Sequence, residues 1–216
     1  RVRYWQFDHK LMEETIAAGA NTTLYFQTAT ATEGEDLEFT TGLEMHVLDV
    51  DITKDFEWHC AKLTAGAGLR YAKIAFDTDG RVYDGTDVVE WVESEHSFEG
   101  VGPTVFVNFK APIRQSALSV VGGLRGSVLF GRGRGVGVVV DDVEETLYAE
   151  LGNGNTTTGA IEGDLGLQYD RTLTNGVDGF VRVAWEGQLW FEVGSPTTDY
   201  GDMGMEGLSF SFGITR

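Results

Sequence analysis

Cysteine is nearly absent: Cys60 is the only one in 216 residues, so no internal disulfide and no thiolate metal cluster can form. Proline is scarce too, at 3 residues, and no apolar run approaches the ~18 residues of a membrane-crossing helix. That shortage excludes helices as membrane spans and leaves strands open. Basic residues are few, 16 Lys and Arg against 34 Asp and Glu, for a net charge of −18. A pI near 4.4 argues against phosphate-backbone contacts with nucleic acid, which need a basic surface to displace counterions.

Catalytic patterns are missing as well. The four histidines show no i, i+4 pairing and no H-E-x-x-H, and no G-x-S-x-G elbow surrounds a serine. His59 and Cys60 are sequence neighbours, so on a strand they point to opposite faces and cannot act as base and nucleophile. "GRGRGVG" lacks the Lys-Ser/Thr of a phosphate-binding loop, and "DTDG" lacks the full oxygen-ligand pattern of a calcium loop. The expectation is a protein that is not an enzyme, with no catalytic residue, metal or cofactor.

What the chain does have is glycine, 29 residues, with 42% hydrophobic residues and a mean hydropathy of −0.14. The size suits a single domain over 1–216. Runs of period two between turn signals predict about eight strands, at 1–8, 42–53, 58–76, 97–110, 116–131, 157–171, 178–193 and 204–216. Many match or exceed the ~9–11 residues that a tilted strand needs to cross a bilayer. Their connections alternate: long at 9–41, tight near "TKDF", long at 77–96, short at "APIRQ", long at 132–156, tight at "LTNG", medium at 194–203. Long loops at one end and short turns at the other fit an outer-membrane barrel with its short turns in the periplasm. Acidic residues collect in the predicted loops: six within 10–41, seven within 77–97 and five within 132–150.

The alternation also assigns faces. Leu63, Ala65, Ala67, Leu69 and Tyr71 share one side of "KLTAGAGLRYA", and Arg70 lies on the other. Leu118, Val120, Leu124, Val128 and Phe130 oppose Arg125; Ile161, Leu165, Leu167 and Tyr169 oppose Glu162 and Asp164; Val181, Val183, Trp185, Leu189 and Phe191 oppose Arg182 and Glu186. In a membrane barrel these charges point into the lumen and pair there, which avoids the cost of lipid exposure. Arg70, Arg125, Arg182, Glu162, Asp164 and Glu186 are therefore the predicted lumen charge network, with Arg125 and Asp164 an expected pair. Tyr71, Phe130 and Phe191 at the loop end, and Phe109 and Tyr169 at the turn end, predict two aromatic girdles. "LEMHVLDVDIT" breaks the rule, because Leu43, Met45 and Val47 lie on one parity and Leu48, Val50 and Ile52 on the other. Either a bulge near Val47 turns Glu44, His46, Asp49 and Asp51 inward, or only half of this strand is embedded.

"RVRYWQFD", "GLRYAKI", "FEGVGPTV", "GGLRGSVLFG", "GDLGLQYDR" and "GLSFSFG" together resemble the Legionella-type major outer membrane protein family, especially its planctomycete-like members. The resemblance spans nearly the whole chain and implies a pore-forming outer-membrane β-barrel. "GLSFSF" resembles the C-terminal signal that barrel-assembly machinery reads, here Gly207, Phe210 and Phe212, although the chain ends in Arg216. The chain opens directly on "RVRYWQF", with no signal-peptide pattern, and is expected to be a mature or trimmed form with room for further strands upstream.

The expectation is thus an all-β protein, a single antiparallel up-and-down transmembrane β-barrel of about eight strands in a Gram-negative-type outer membrane. Its role is structural or that of a narrow, porin-like pore with long acidic extracellular loops, and its partners are outer-membrane lipid, lipopolysaccharide, the assembly machinery and small ions. The alternatives are a soluble lipocalin-like ligand carrier and a surface adhesin working through its loops.

Overall fold

The computed structural model describes residues 1–20, 22–26, 29–58, 61–114, 116–141, 146–174, 177–193 and 201–215. His59 and Cys60 lie outside them. The described residues form ten strands and no helix: β1 (Val2–Ala17), β2 (Leu24–Phe26), β3 (Ala29–Ala31), β4 (Glu35–Trp58), β5 (Ala61–Asp84), β6 (Asp87–Pro112), β7 (Leu118–Asp141), β8 (Thr146–Thr174), β9 (Val177–Phe191) and β10 (Met203–Thr215). Eight of them make one antiparallel meander in the order β1-β4-β5-β6-β7-β8-β9-β10, and β2 pairs with β3 as a separate hairpin. The up-and-down order agrees with the expectation, but closure is not shown. β1 and β10 end the sheet without pairing to each other among the described residues, so the architecture is a curled half-barrel.

Side-chain alternation decides which way the sheet faces. Leu69, Leu124, Leu165 and Phe210 are 61%, 57%, 59% and 75% exposed on the convex side, in the middle of paired strands. A water-soluble sheet has no reason to line its outer face this way, whereas lipid accepts it. The concave side holds buried Met45, Val47, Ile74, Leu129 and Trp190. All eight strands of the sheet contribute to this inner cluster, through Trp5 and Phe7 on β1, Phe98 on β6, Ala160 on β8 and Met203 and Met205 on β10 as well.

The curl needs room on the inside. A Cβ at Gly68 would lie 2.0 Å from the carbonyl oxygen of Val50 and 2.8 Å from Asp51, and one at Gly66 would lie 2.5 Å from the ring of Phe106. The glycines of "TAGAGLR" therefore let β4 and β6 approach β5 where larger side chains fill the concavity.

The strands run well past the bilayer. On β5 the apolar outward stretch extends from Leu63 to Tyr71, nine residues that rise roughly 20 Å when tilted as barrel strands are. Beyond Tyr71 the outward positions become Lys73, Asp77, Asp79 and Arg81, while the inward ones become Ala72, Ile74, Phe76 and Val82. The apolar side thus changes faces with no interruption of the pairing between β4 and β5. β4 makes the same change between Val47, which is buried, and Leu48, which is 38% exposed. There is consequently no bulge at Val47: Asp49 and Asp51 point inward, and Glu44 and His46 point outward above the apolar band.

This change of face corrects the loop assignment. Residues 77–96 are a hairpin in which β5 and β6 meet at a two-residue turn, with Gly85 at φ +65°. Residues 132–156 are mostly β7 and β8, and 9–41 hold the end of β1, the start of β4 and the β2–β3 hairpin. That hairpin packs Ala29 and Ala31 against Leu37, Val82 and Val92, which caps the outer end of the concavity. The turn expected near "TKDF" lies further on, because β4 continues to Trp58.

Leu124→Arg should lower folding stability in lipid by about 2–4 kcal/mol, since it puts a charge at mid-bilayer depth on the lipid face. Gln168→Arg, on the concave side, should cost much less when both are compared by denaturant titration in vesicles.

Candidate functional site

Register alone sets up the centre of the concave face. Asp49 on β4 stands opposite Arg3 on β1 and Arg70 on β5, so one carboxylate lies between two guanidinium groups. Arg70 grips it in a bidentate fork, with Nε donating to Oδ1 at 2.7 Å and Nη2 to Oδ2 at 3.1 Å. Arg3 donates through Nε to Oδ2 at 2.8 Å. Both Arg70 and Asp49 are fully buried.

Curvature supplies the remaining contacts. Glu162 on β8 accepts from Arg3 Nη2 at 2.7 Å and ion-pairs with Arg70 Nη1, joining β8 to β1 and β5 across the concavity. Arg125 on β7 stands opposite Glu162 in the ladder, yet its guanidinium reaches Asp51 on β4, with Nη2 to Oδ2 at 2.7 Å and Nη1 to Oδ1 at 3.1 Å. It also donates to Thr104 Oγ1 at 3.1 Å and lies 3.6 Å from Asp49. Aromatic faces cover the cations: Arg125 is 4.4 Å from the Phe106 ring centroid, and Arg70 is 5.7 Å from that of Trp190. Arg3, Arg70 and Arg125 thus balance Asp49, Asp51 and Glu162 in one buried cluster.

The six predicted residues divide into two groups. Arg70, Arg125 and Glu162 belong to the buried cluster. Asp164, Arg182 and Glu186 lie on the wall of an open polar basin of about 450 Å³ next to it. There Arg182 pairs with Asp164, and Glu186 accepts from Ser209 Oγ at 2.6 Å. Arg125 is paired with Asp51 instead of the expected Asp164, because the curl brings β4 within its reach. Alternation on the embedded strands did not identify Arg3, Asp49 and Asp51 as members. Asp49 and Asp51 sit where β4 changes face, and following the parity of Leu48, Val50 and Ile52 across that point would have placed both inside.

Outside the sheet, the aromatic residues form two collars. Tyr4, Tyr71 and Phe130 are exposed at the upper edge of the apolar band, and Phe56, Trp58, Tyr169 and Phe212 at the lower edge. Phe210 and Phe212 of the closing strand are 75% and 87% exposed and pair with Val183 and Val181. Gly207, on that same strand, pairs with Glu186 of β9.

Chemically, the concave cluster leaves no carboxylate free to act as a base, and among the described residues no three His, Cys, Asp or Glu side chains gather to hold a metal. It is a set of mutually satisfied charges between an apolar plug and a wet basin. A family model described as the Legionella pneumophila major outer membrane protein precursor matches residues 2–213, and the chain belongs to that family. No curated protein and no solved structure matches it. The chain is accordingly an outer-membrane protein, and the family description names an outer-membrane protein, not an enzyme.

A double-mutant cycle on Arg125 and Asp51 should give a coupling of about 1–3 kcal/mol, and one on Arg125 and Asp164 a coupling near zero. Asp49→Ala should be worse than Asp164→Ala, at about 3–5 kcal/mol, because it strips the carboxylate shared by two arginines.

Proposed function

We propose that this chain is a structural outer-membrane barrel whose lumen is occluded and passes at most a narrow ion current. The observation that carries this reading is the fully buried Arg70–Asp49 pair, seated against Trp190 where a pore would need water. Apolar tiers lie on the outer side of that pair, the Met45, Ile74, Leu129 and Trp190 cluster and then the β2–β3 cap. A barrel of about eight strands has an interior that side chains can just fill.

Closure is part of the proposal. A bare strand edge in lipid leaves backbone N–H and C=O groups unsatisfied at several kcal/mol each, so β1 and β10 must be paired in the bilayer. Trp5 and Phe7 of one edge strand and Met203 and Met205 of the other already share an inner cluster, which supports pairing them with each other. Eight alternating strands also leave them antiparallel. Gly207, Phe210 and Phe212 supply the signal for the assembly machinery, supported by the exposure of both phenyl rings on the last strand.

In planar bilayers the protein should show no large, stable conductance steps. Arg70→Ala combined with Trp190→Ala should raise the current, and any current should favour cations, given the acidic outer end, with a preference that fades as salt is raised. Large steps from the unaltered chain, or anion preference, would contradict the occluded reading.

A further inference from the structure

The outer face carries a feature that occlusion does not use. In a chain of net charge −18, Lys73, Arg132 and Arg134 are all exposed, Lys73 lying opposite Glu99 and within electrostatic reach of Glu44. They sit on the convex side, one or two outward positions above Tyr71 and Phe130 of the upper collar. Register places Lys73 on β5, Glu99 on β6, Arg132 on β7 and Asn155 on β8 in one cross-strand row, with Arg134 in the next row opposite Ser97. Glu99 is the only carboxylate in that row, and it accepts the Tyr71 hydroxyl at 2.8 Å. His46 closes the row on β4 and is held by Glu44. With Glu44, which also interacts electrostatically with Lys73, counted beside Glu99, the balance against Lys73, Arg132 and Arg134 remains positive.

Above these cations the same face turns acidic, with Asp77 opposite Glu95 and Asp79 opposite Glu93. Below them lies the apolar band. A groove of about 430 Å³ opens at the junction, lined by Phe130, Gly131, Arg132, Asn155, Thr156 and Thr157. Its floor is open because Gly131, Asn155 and Thr157 put no large side chain beside the 58%-exposed Phe130 ring.

We infer that this groove seats a phosphorylated lipid of the outer leaflet, with its phosphate between Arg132 and Arg134, Lys73 on the flank, and an acyl chain running down past Phe130. Guanidinium groups bind phosphate in bidentate, charge-assisted fashion, and the site lies at the depth where a headgroup meets the hydrocarbon. The acidic tier above repels the phosphate and so fixes its height. The inference rests on the membrane placement of the convex face and adds to it a specific ligand class.

The test uses the full chain refolded into phosphatidylcholine vesicles doped with either diphosphoryl lipid A or its dephosphorylated form, followed by detergent extraction and quantification of retained lipid by mass spectrometry. Diphosphoryl lipid A should be retained in stoichiometric amount and the dephosphorylated form should not. Arg132→Gln with Arg134→Gln should cut retention by about tenfold or more, while Arg171→Gln at the opposite rim leaves it unchanged. Strand content by circular dichroism confirms insertion of each variant. Retention that ignores the phosphates or the two arginines, in protein that inserts normally, overturns the lipid site alone. Failure of the unaltered chain to insert overturns the membrane placement, and the site with it.

Discussion

The carboxylate of Asp49 is where the interior is tied together. It receives Arg3 from one neighbouring strand and Arg70 from the other, and Arg125 stands 3.6 Å away. A single buried carboxylate among three guanidinium groups leaves excess positive charge, which Glu162 and Asp51 neutralise from β8 and β4. Every one of these links spans strands, and those of Glu162 with Arg3 and Arg70 and of Arg125 with Asp51 and Asp49 cross the concavity. The ion cluster therefore fixes curvature as well as charge, since flattening the sheet would separate Glu162 from Arg3 and Arg125 from Asp51. Uncompensated buried charge is costly enough to make such a cluster all-or-none.

Around that centre the strands solve two solvation problems in one length of chain. Within the bilayer, apolar side chains face out and charges face in; beyond it, water is outside, and the inner face becomes the dry one. The residues Leu63 to Tyr71 and Ala72 to Phe76 show both regimes on one unbroken strand. The exchange occurs at neighbouring levels on β4, β5 and β6, at Val47 and Leu48, Tyr71 and Ala72, and Phe98 and Val101. The upper aromatic collar coincides with this exchange.

The same exchange explains what could be read in the sequence. Where one face stays apolar, as from Leu118 to Phe130 or from Val181 to Leu189, period two gave the strand and its exposed side correctly. Arg70, Arg125 and Glu162 followed from being on the opposite parity. Where the apolar side changes over, a search for a single continuing face ends the strand too early, and 77–96 read as a loop although Thr78, Val82, Val92 and Ser94 keep a period-two inner face. The pairings of Arg125 with Asp51 and of Arg3 with Glu162 were not legible, because they depend on how tightly eight strands curl. The resemblance rested on the distributed glycine-rich pieces, and the family model matches residues 2–213.

The assignment of faces can be measured directly with the chain's own tryptophans. Trp185 is 51% exposed on the convex side in the apolar band, and Trp190, five residues along the same strand, is fully buried on the concave side. Variants whose single remaining tryptophan is Trp185 or Trp190, the other four replaced by phenylalanine, and refolded into vesicles whose acyl chains carry bromine, should differ sharply: strong fluorescence quenching for Trp185 and little for Trp190. Equal quenching of the two, or stronger quenching of Trp190, would contradict a convex lipid face around a dry interior.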